Sequence, residues 1–231
     1  MALPLGTKLS FFAPGSEYHG GPGGGRGVRQ FKSGQHFDGG WQDDEQQGHG
    51  VLTTQEGTAY DGEWDAGQFH GHGRYQWQSG TVYEGQWSRG VKEGAGKLTQ
   101  YNGNEQTGFT LVSTYEGQFR ADERHGSGLY KVVKPTIGGL AVYEGEWAAG
   151  RREGVGTQRG TDGHVEISRY KNDLPVGEGA RWLDPSLLKP GDFQGPVRLA
   201  DGKEVEDIDE SAAAAIAKAL GVAAPTFPFH P

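Results

Sequence analysis

Between Tyr60 and Trp64 the chain alternates strictly. Tyr60, Gly62 and Trp64 fall on one parity, Asp61 and Glu63 on the other. Side chains alternate across a strand with period two, so the rings and glycine share one face and the acids point away. Gly71 and Gly73 open a second strand on the same face, which Tyr75 and Trp77 continue. The intervening DAGQFH reads as the first turn, and QSGT at 78–81 as the turn leading to Tyr83. Gly67 and Gly80 suit positions with φ > 0 in such turns. Each block is therefore a β-hairpin, and successive hairpins pair into an antiparallel meander.

The block recurs. Tyr60, Gly62, Trp64, Gly67, Gly71 and Gly73 stand at offsets 0, 2, 4, 7, 11 and 13. Tyr83, Gly85, Trp87, Gly90, Gly94 and Gly96 repeat the spacing 23 residues on. Phe37, Gly39 and Trp41 carry it upstream; Tyr115, Gly117 and Phe119, then Tyr143, Gly145 and Trp147, carry it downstream. Worn copies lead and follow, with Tyr18 and Tyr170 in the tryptophan place. A fixed period in the twenties marks a repeat array whose units cannot fold alone. The array of about seven units spans 14–188, after an N-terminal segment at 1–13. Insertions near 103–114 and 133–142 fall after the second strand of consecutive units. Their strand-forming sequences, GFTLVSTY and LYKVVK…GGLAVY, predict lengthened hairpins on one edge.

Beyond the array the pattern changes. LDPSLLKPGDFQGP reads as connector, and VRLADGKEVEDI as a closing hairpin about Asp201 and Gly202. DIDESAAAAIAKALG reads as a helix near 209–220, capped by Asp207 or Asp209 and ended by Gly221. Ile208, Ala212, Ile216 and Leu220 form its apolar row. Its expected role within 189–221 is to cap an exposed sheet edge. Residues 222–231, ending APTFPFHP, read as a flexible or polyproline-like tail.

The stretches YDGEWDAGQFHGHGRY, YEGQWSRGVKEGAGKL and YEGEWAAGRREGVGT resemble the MORN (membrane occupation and recognition nexus) repeat, over roughly 14–185. The resemblance implies an all-β fold: an elongated, twisted, single-layer antiparallel meander with an aromatic-lined groove, here with a short C-terminal capping helix.

Composition narrows the function. Hydrophobic residues make up 33% and mean hydropathy is -0.70, too polar for one large conventional core. Aromatics at 11% and strictly placed separate the chain from disordered glycine-rich sequences. With no cysteine, disulfides and thiolate metal sites are excluded, which fits a reducing compartment. No apolar run approaches membrane-spanning length, and the start lacks a secretion-type charged and apolar pair of regions. A formal charge of -8 argues against a general nucleic-acid binder.

Chemistry-bearing motifs are sparse. GGPGGGRG at 20–27 lacks the Lys-Ser/Thr ending of a phosphate loop, and its last glycines sit in the repeat register. The 8 histidines are scattered, so no metal site is expected. No nucleophile elbow, zincin helix or kinase signature is present. Asp61, Glu63, Glu84, Glu116, Glu144 and Glu146 recur outward as a solvated acidic ladder. Basic residues recur in the turns: Arg89 and Lys92, Arg120 and Arg124, Arg151 and Arg152. Stacked turns would line them up as a basic edge for an acidic partner or lipid headgroup, or leave them as ordinary turn polarity.

No cofactor and no catalysis are expected. The family resemblance implies a scaffold or adaptor in a cytoskeletal or ciliary/flagellar axonemal assembly of the cytoplasm. It would hold a partner protein segment, helical or extended, in the groove. Candidate anchors are Tyr60, Trp64, Tyr83, Trp87, Tyr115, Phe119, Tyr143 and Trp147. A peripheral phosphoinositide-binding adaptor is the alternative, disfavoured by the acidic ladder. A regulatory array of a lipid kinase or methyltransferase is a third, for which only a short tail follows the repeats.

Overall fold

A computed structural model describes residues 24–104, 108–133, 139–184 and 195–227. The segment 1–13, Tyr18 and Gly21 of the leading unit, most of the connector, and the tail from 228 lie outside these residues. The chain divides into two compact units, Met1–Asp122 and Glu123–Pro231.

The first unit contains β1 (Gly25–Gln30), β2 (His36–Gln42), β3 (Glu45–Thr53), β4 (Ala59–Asp65), β5 (Gln68–Gln76), β6 (Val82–Ser88), β7 (Val91–Asn104) and β8 (Gly108–Arg120). The second contains β9 (Glu123–Val132), β10 (Leu140–Ala148), β11 (Arg151–Gly160), β12 (Val165–Lys171), β13 (Leu174–Trp182), β14 (Val197–Ala200), β15 (Lys203–Asp207) and α1 (Glu210–Ala219). Within each unit the strands follow chain order and neighbours pair antiparallel, an open meander of hairpins. The expected all-β class and the single C-terminal helix are the observed ones.

The hairpin turns are tighter than DAGQFH suggests. Ala66 and Gly67 alone form the turn, with φ of 46° and 73°, and β5 begins at Gln68. Paired positive φ values match the twist of the flanking strands, as in a type I′ turn. Phe69 and His70, placed in the turn by the sequence, are strand residues opposite Trp64 and Glu63. The surplus length is absorbed by a bulge: Gly62 faces Gly73, yet Glu63 faces His70. Gly71 sits in that bulge at φ 54°, and the Glu63 carboxylate accepts the His72 N–H at 2.8 Å. Gln86 does the same for Ala95 at 2.7 Å.

The first insertion lengthens a hairpin as expected. β7 and β8 pair beyond β6 through Tyr101↔Leu111, Asn102↔Thr110 and Gly103↔Phe109. Of the second insertion, 134–138 lies outside the described residues.

The face opposite the rings is not a purely acidic ladder. In register across strands stand Asp61, Arg74, Glu84, Lys97 and Glu116, alternating in sign. The sequence showed the first-strand acids but not their partners from second strands. Cross-strand opposite charges are modestly favourable.

In the second unit the same face turns apolar, and α1 settles there. Ile167, Ala180 and Trp182 pack with Ala213, Ile216 and Ala217, flanked by Val155, Ile208, Leu220 and Val222. The helix therefore covers a sheet face, not the edge it was expected to cap. Asp209 is the N-cap, accepting from Ala212 N at 2.7 Å, and Trp182 Nε1 donates to Glu210 at 3.2 Å. The buried stripe is Ala213, Ile216 and Ala217, the i, i+3, i+4 face of the helix, while Ala212 is exposed. The tail expected to be flexible is packed as far as 227: Ala224 and Phe227 rest against this core. The closing hairpin forms about Asp201 and Gly202. Its outer strand β15 is exposed along its length, carries Lys203, Glu204, Glu206 and Asp207, and is offset in register between Arg198 and Leu199. Charges and irregularity of this kind discourage edge-to-edge association.

Candidate functional site

The rings sit as the spacing dictates. Phe37, Trp41, Tyr60, Trp64, Tyr83, Trp87, Tyr115 and Phe119 line one face of the first unit; Tyr143, Trp147 and Tyr170 line one face of the second. Within a hairpin the pair meets edge-to-face, at 5.1 Å for Tyr83–Trp87 and 5.2 Å for Tyr143–Trp147. Between hairpins the same geometry recurs, at 5.6 Å for Tyr60–Trp87 and 5.0 Å for Tyr83–Phe119. Such pairs are attractive beyond their buried area.

Glycines make room for this layer. A Cβ on Gly73 would stand 2.3 Å from Tyr60 Oη, and one on Gly96 2.4 Å from Tyr83 Oη. The polar tips of the rings are satisfied. Tyr60 and Tyr83 hydroxyls donate to the carbonyls of Glu63 and Gln86, at 2.8 and 2.9 Å. Trp64 and Trp87 Nε1 donate to the Gly50 and Gly73 carbonyls of the preceding hairpin, at 3.1 and 3.0 Å. Burial pushes the phenols of Tyr60, Tyr83, Tyr143 and Tyr170 well above their ordinary 10.0.

The eight candidate anchors, six in the first unit and two in the second, are thereby buried in the floor of their own unit. Their exposure runs from 0% at Tyr83 and Tyr143 to 6% at Trp87. What stays half-buried on each unit's ring face is a second set, of which sequence reasoning named Lys92, Arg124 and Arg152 as a basic edge but missed Gln46 and Phe69. It stands at offset 9 of each repeat: Gln46, Phe69, Lys92, Arg124 and Arg152. Phe69 stacks on Tyr60 at 3.8 Å and meets Trp64 and Trp87 edgewise. Tyr75 and Trp77, 4.6 Å apart, continue this half-buried aromatic cluster. The sequence signal was present in the fixed offset, but the apparent turn concealed it.

The basic edge divides into two sets. Lys92 reaches back between Trp77 and Tyr83, 5.4 and 5.8 Å from their ring centres, and pairs with Asp122 at 3.5 Å. Arg124 lies 4.1 Å over Trp147 and donates to the Gly150 carbonyl. Arg152 lies 4.7 Å over Tyr170, pairs with Asp173 and donates to Gln158. These three cations cover rings and hold turns. Arg89, Arg120 and Arg151 point into solvent.

At the end of the second unit's ring row, Glu166 takes the tyrosine place. It is 2% exposed, bound by Arg181 Nη2 at 3.0 Å and Ser168 Oγ at 3.0 Å. Among the described residues no group of three or more His, Asp or Glu is placed to hold a metal. No described helix is long and apolar enough to cross a membrane.

A repeat face of buried rings, interleaved glycines and a variable offset-9 position defines a class of β-repeat array. The MORN repeat model matches residues 37–59, 60–82, 83–105, 115–131 and 143–165. The chain is a MORN-repeat protein, with five such repeats between 37 and 165. That family is one of repeat scaffolds, often engaged in protein or membrane binding, and generally non-catalytic. Among curated proteins none matches the chain.

Proposed function

We propose that this protein is a non-enzymatic scaffold that binds a segment of a partner protein along its ring-bearing face. The observation that carries the reading is the half-buried cluster of Phe69, Tyr75 and Trp77 on a buried aromatic floor. Rigid aromatic anchors with fixed orientation lose little entropy on binding and are favoured at contact centres. The eight floor rings hold the shape, and the partner touches the offset-9 row. The family resemblance supports a cytoplasmic setting in a cytoskeletal or axonemal assembly. Phosphoinositide binding is the less favoured reading, because Lys92, Arg124 and Arg152 are already engaged by carboxylates, carbonyls or rings.

The test pairs two variants of matched fold, Trp77→Ala and the triple Arg89, Arg120, Arg151→Glu. Partner captured from native cells and phosphoinositide liposomes are assayed side by side. Partner binding falling by about 2 kcal/mol in Trp77→Ala, with wild-type liposome binding absent, is the expected result. Salt-sensitive liposome binding abolished only by the charge reversal would overturn the reading.

A further inference from the structure

We infer that Asn102 is a site of spontaneous deamidation in the folded chain. The chain has three asparagines, at 102, 104 and 172, and only Asn102 precedes glycine. Both Asn102 and Gly103 are exposed, in the part of β7 that extends past β6. The Gly103 N–H donates to Asn102 Oδ1 at 2.9 Å, so the attacking nitrogen lies beside the side-chain amide carbon. Gly103 has φ 115°, a conformation closed to most side chains, and no Cβ stands between nitrogen and carbon.

The chemistry needs only water and a solvent base. The Gly103 amide proton leaves to the base, and its nitrogen bonds to Asn102 Cγ. The Cγ–Nδ2 bond breaks as Nδ2 takes that proton back from the base, and ammonia departs, leaving a five-membered succinimide. Water then opens the ring at either carbonyl, giving aspartate or isoaspartate. Asn172 is the internal contrast. It lies in a two-residue turn, and the next amide, Asp173 N, is committed to the Arg152 carbonyl at 3.0 Å.

The site has a structural consequence. The β7–β8 extension is tied to the preceding turn: Tyr101 N–H reaches Thr81 Oγ1 at 3.5 Å, and the Phe109 ring occupies the space a Cβ on Gly80 would need. Isoaspartate lengthens the main chain by one methylene between 102 and 103. The Gly103↔Phe109 pairing then slips, and Phe109 is drawn off Gly80. Aspartate adds a negative charge and leaves the pairing intact.

The test is timed incubation of the purified full chain near neutral pH in heavy-oxygen water, with peptide fragmentation mass spectrometry. Residue 102 should gain one heavy oxygen and convert about tenfold or more faster than Asn172, a barrier difference of about 1.4 kcal/mol. Conversion should accelerate with pH, and Asn102→Gln should abolish the signal. Asn102 surviving in the folded chain through an incubation that converts it in urea would overturn the inference. So would equal rates at 102 and 172. Hydrogen exchange on the aged chain reads the consequence: faster exchange at 108–111 supports slippage, and unchanged exchange in an isoaspartate-rich sample refutes it.

Discussion

Replacing Gly85 and Gly90 by alanine in separate variants distinguishes two uses of glycine in one repeat. At Gly85 the backbone is open to any residue, but the space is taken. A Cβ would lie 2.5 Å from Gly96 Cα, 2.6 Å from the Ala95 carbonyl oxygen and 2.7 Å from Tyr83 Oη. Two of these atoms are backbone and cannot turn aside, so β6 and β7 must part or the ring must leave. Overpacking of this kind costs about 1–3 kcal/mol. A displaced Tyr83 also weakens its bond to the Gln86 carbonyl, about 1 kcal/mol. Its contacts with Trp87 and Phe119 add about 0.5–1.5 kcal/mol each. The sum is about 3 kcal/mol after partial relaxation. At Gly90 the reverse holds: nothing lies within 4 Å of a built Cβ, but φ is 82°. Left-handed backbone costs a non-glycine residue about 1–2 kcal/mol, and Asp44, Asp122 and Asp173 tolerate it at the corresponding turn position. Urea unfolding followed by tryptophan fluorescence should place Gly85→Ala about 1–2 kcal/mol below Gly90→Ala. Equal losses, or a larger loss at Gly90, would refute the assignment of Gly85 to the ring layer.

Other consequences are open to direct measurement. Trp64→Phe leaves the Gly50 carbonyl without its donor and should cost about 1–3 kcal/mol, more than Trp77→Phe at a half-buried ring, as read by urea midpoints. The raised phenols of Tyr60, Tyr83, Tyr143 and Tyr170 hold their protons more tightly folded than unfolded. Stability should therefore be unaffected by them below about pH 10 and fall as pH rises beyond it; a flat urea midpoint across that range would contradict the buried-floor reading. Deleting 222–231 removes Val222, Ala224 and Phe227 from the cluster with Ile167 and Trp182. It should destabilise the second unit by about 2 kcal/mol, seen as faster hydrogen exchange in β11–β13 with β2–β6 unchanged.

The sequence carried the period, the strand class, the ring face, the closing hairpin and the helix, because each rests on local rules of alternation, glycine spacing and capping. It misplaced what depends on register between strands. DAGQFH looked like a loop because a bulge at Gly71 and a two-residue turn together mimic one. Phe69 was lost to that loop, and with it the fact that Lys92, Arg124 and Arg152, named as a basic edge, share its offset. The acids at Asp61 and Glu84 were visible, but Arg74 and Lys97 become their neighbours only once hairpins pair. The helix was expected at an edge, because nothing in its own sequence says that Ile167 and Ala180 pair side by side beneath it.

Under the proposed function, this division bears on where specificity would reside in the array. The floor rings repeat one geometry, with the same tyrosine-to-carbonyl bond in four hairpins, at Tyr60, Tyr83, Tyr115 and Tyr143. A constant floor cannot distinguish one ligand from another. The offset-9 position varies instead: it is glutamine, phenylalanine, lysine, arginine and arginine in turn, and the last four lie against rings. Of these, Phe69 alone is apolar and the three cations are spent on local carboxylates, carbonyls and rings. Exchanging Phe69 for the lysine found one repeat later leaves the floor intact while changing what the face offers. Loss of partner binding in Phe69→Lys without loss of stability would separate recognition from folding. Loss of both together would place Phe69 in the floor itself.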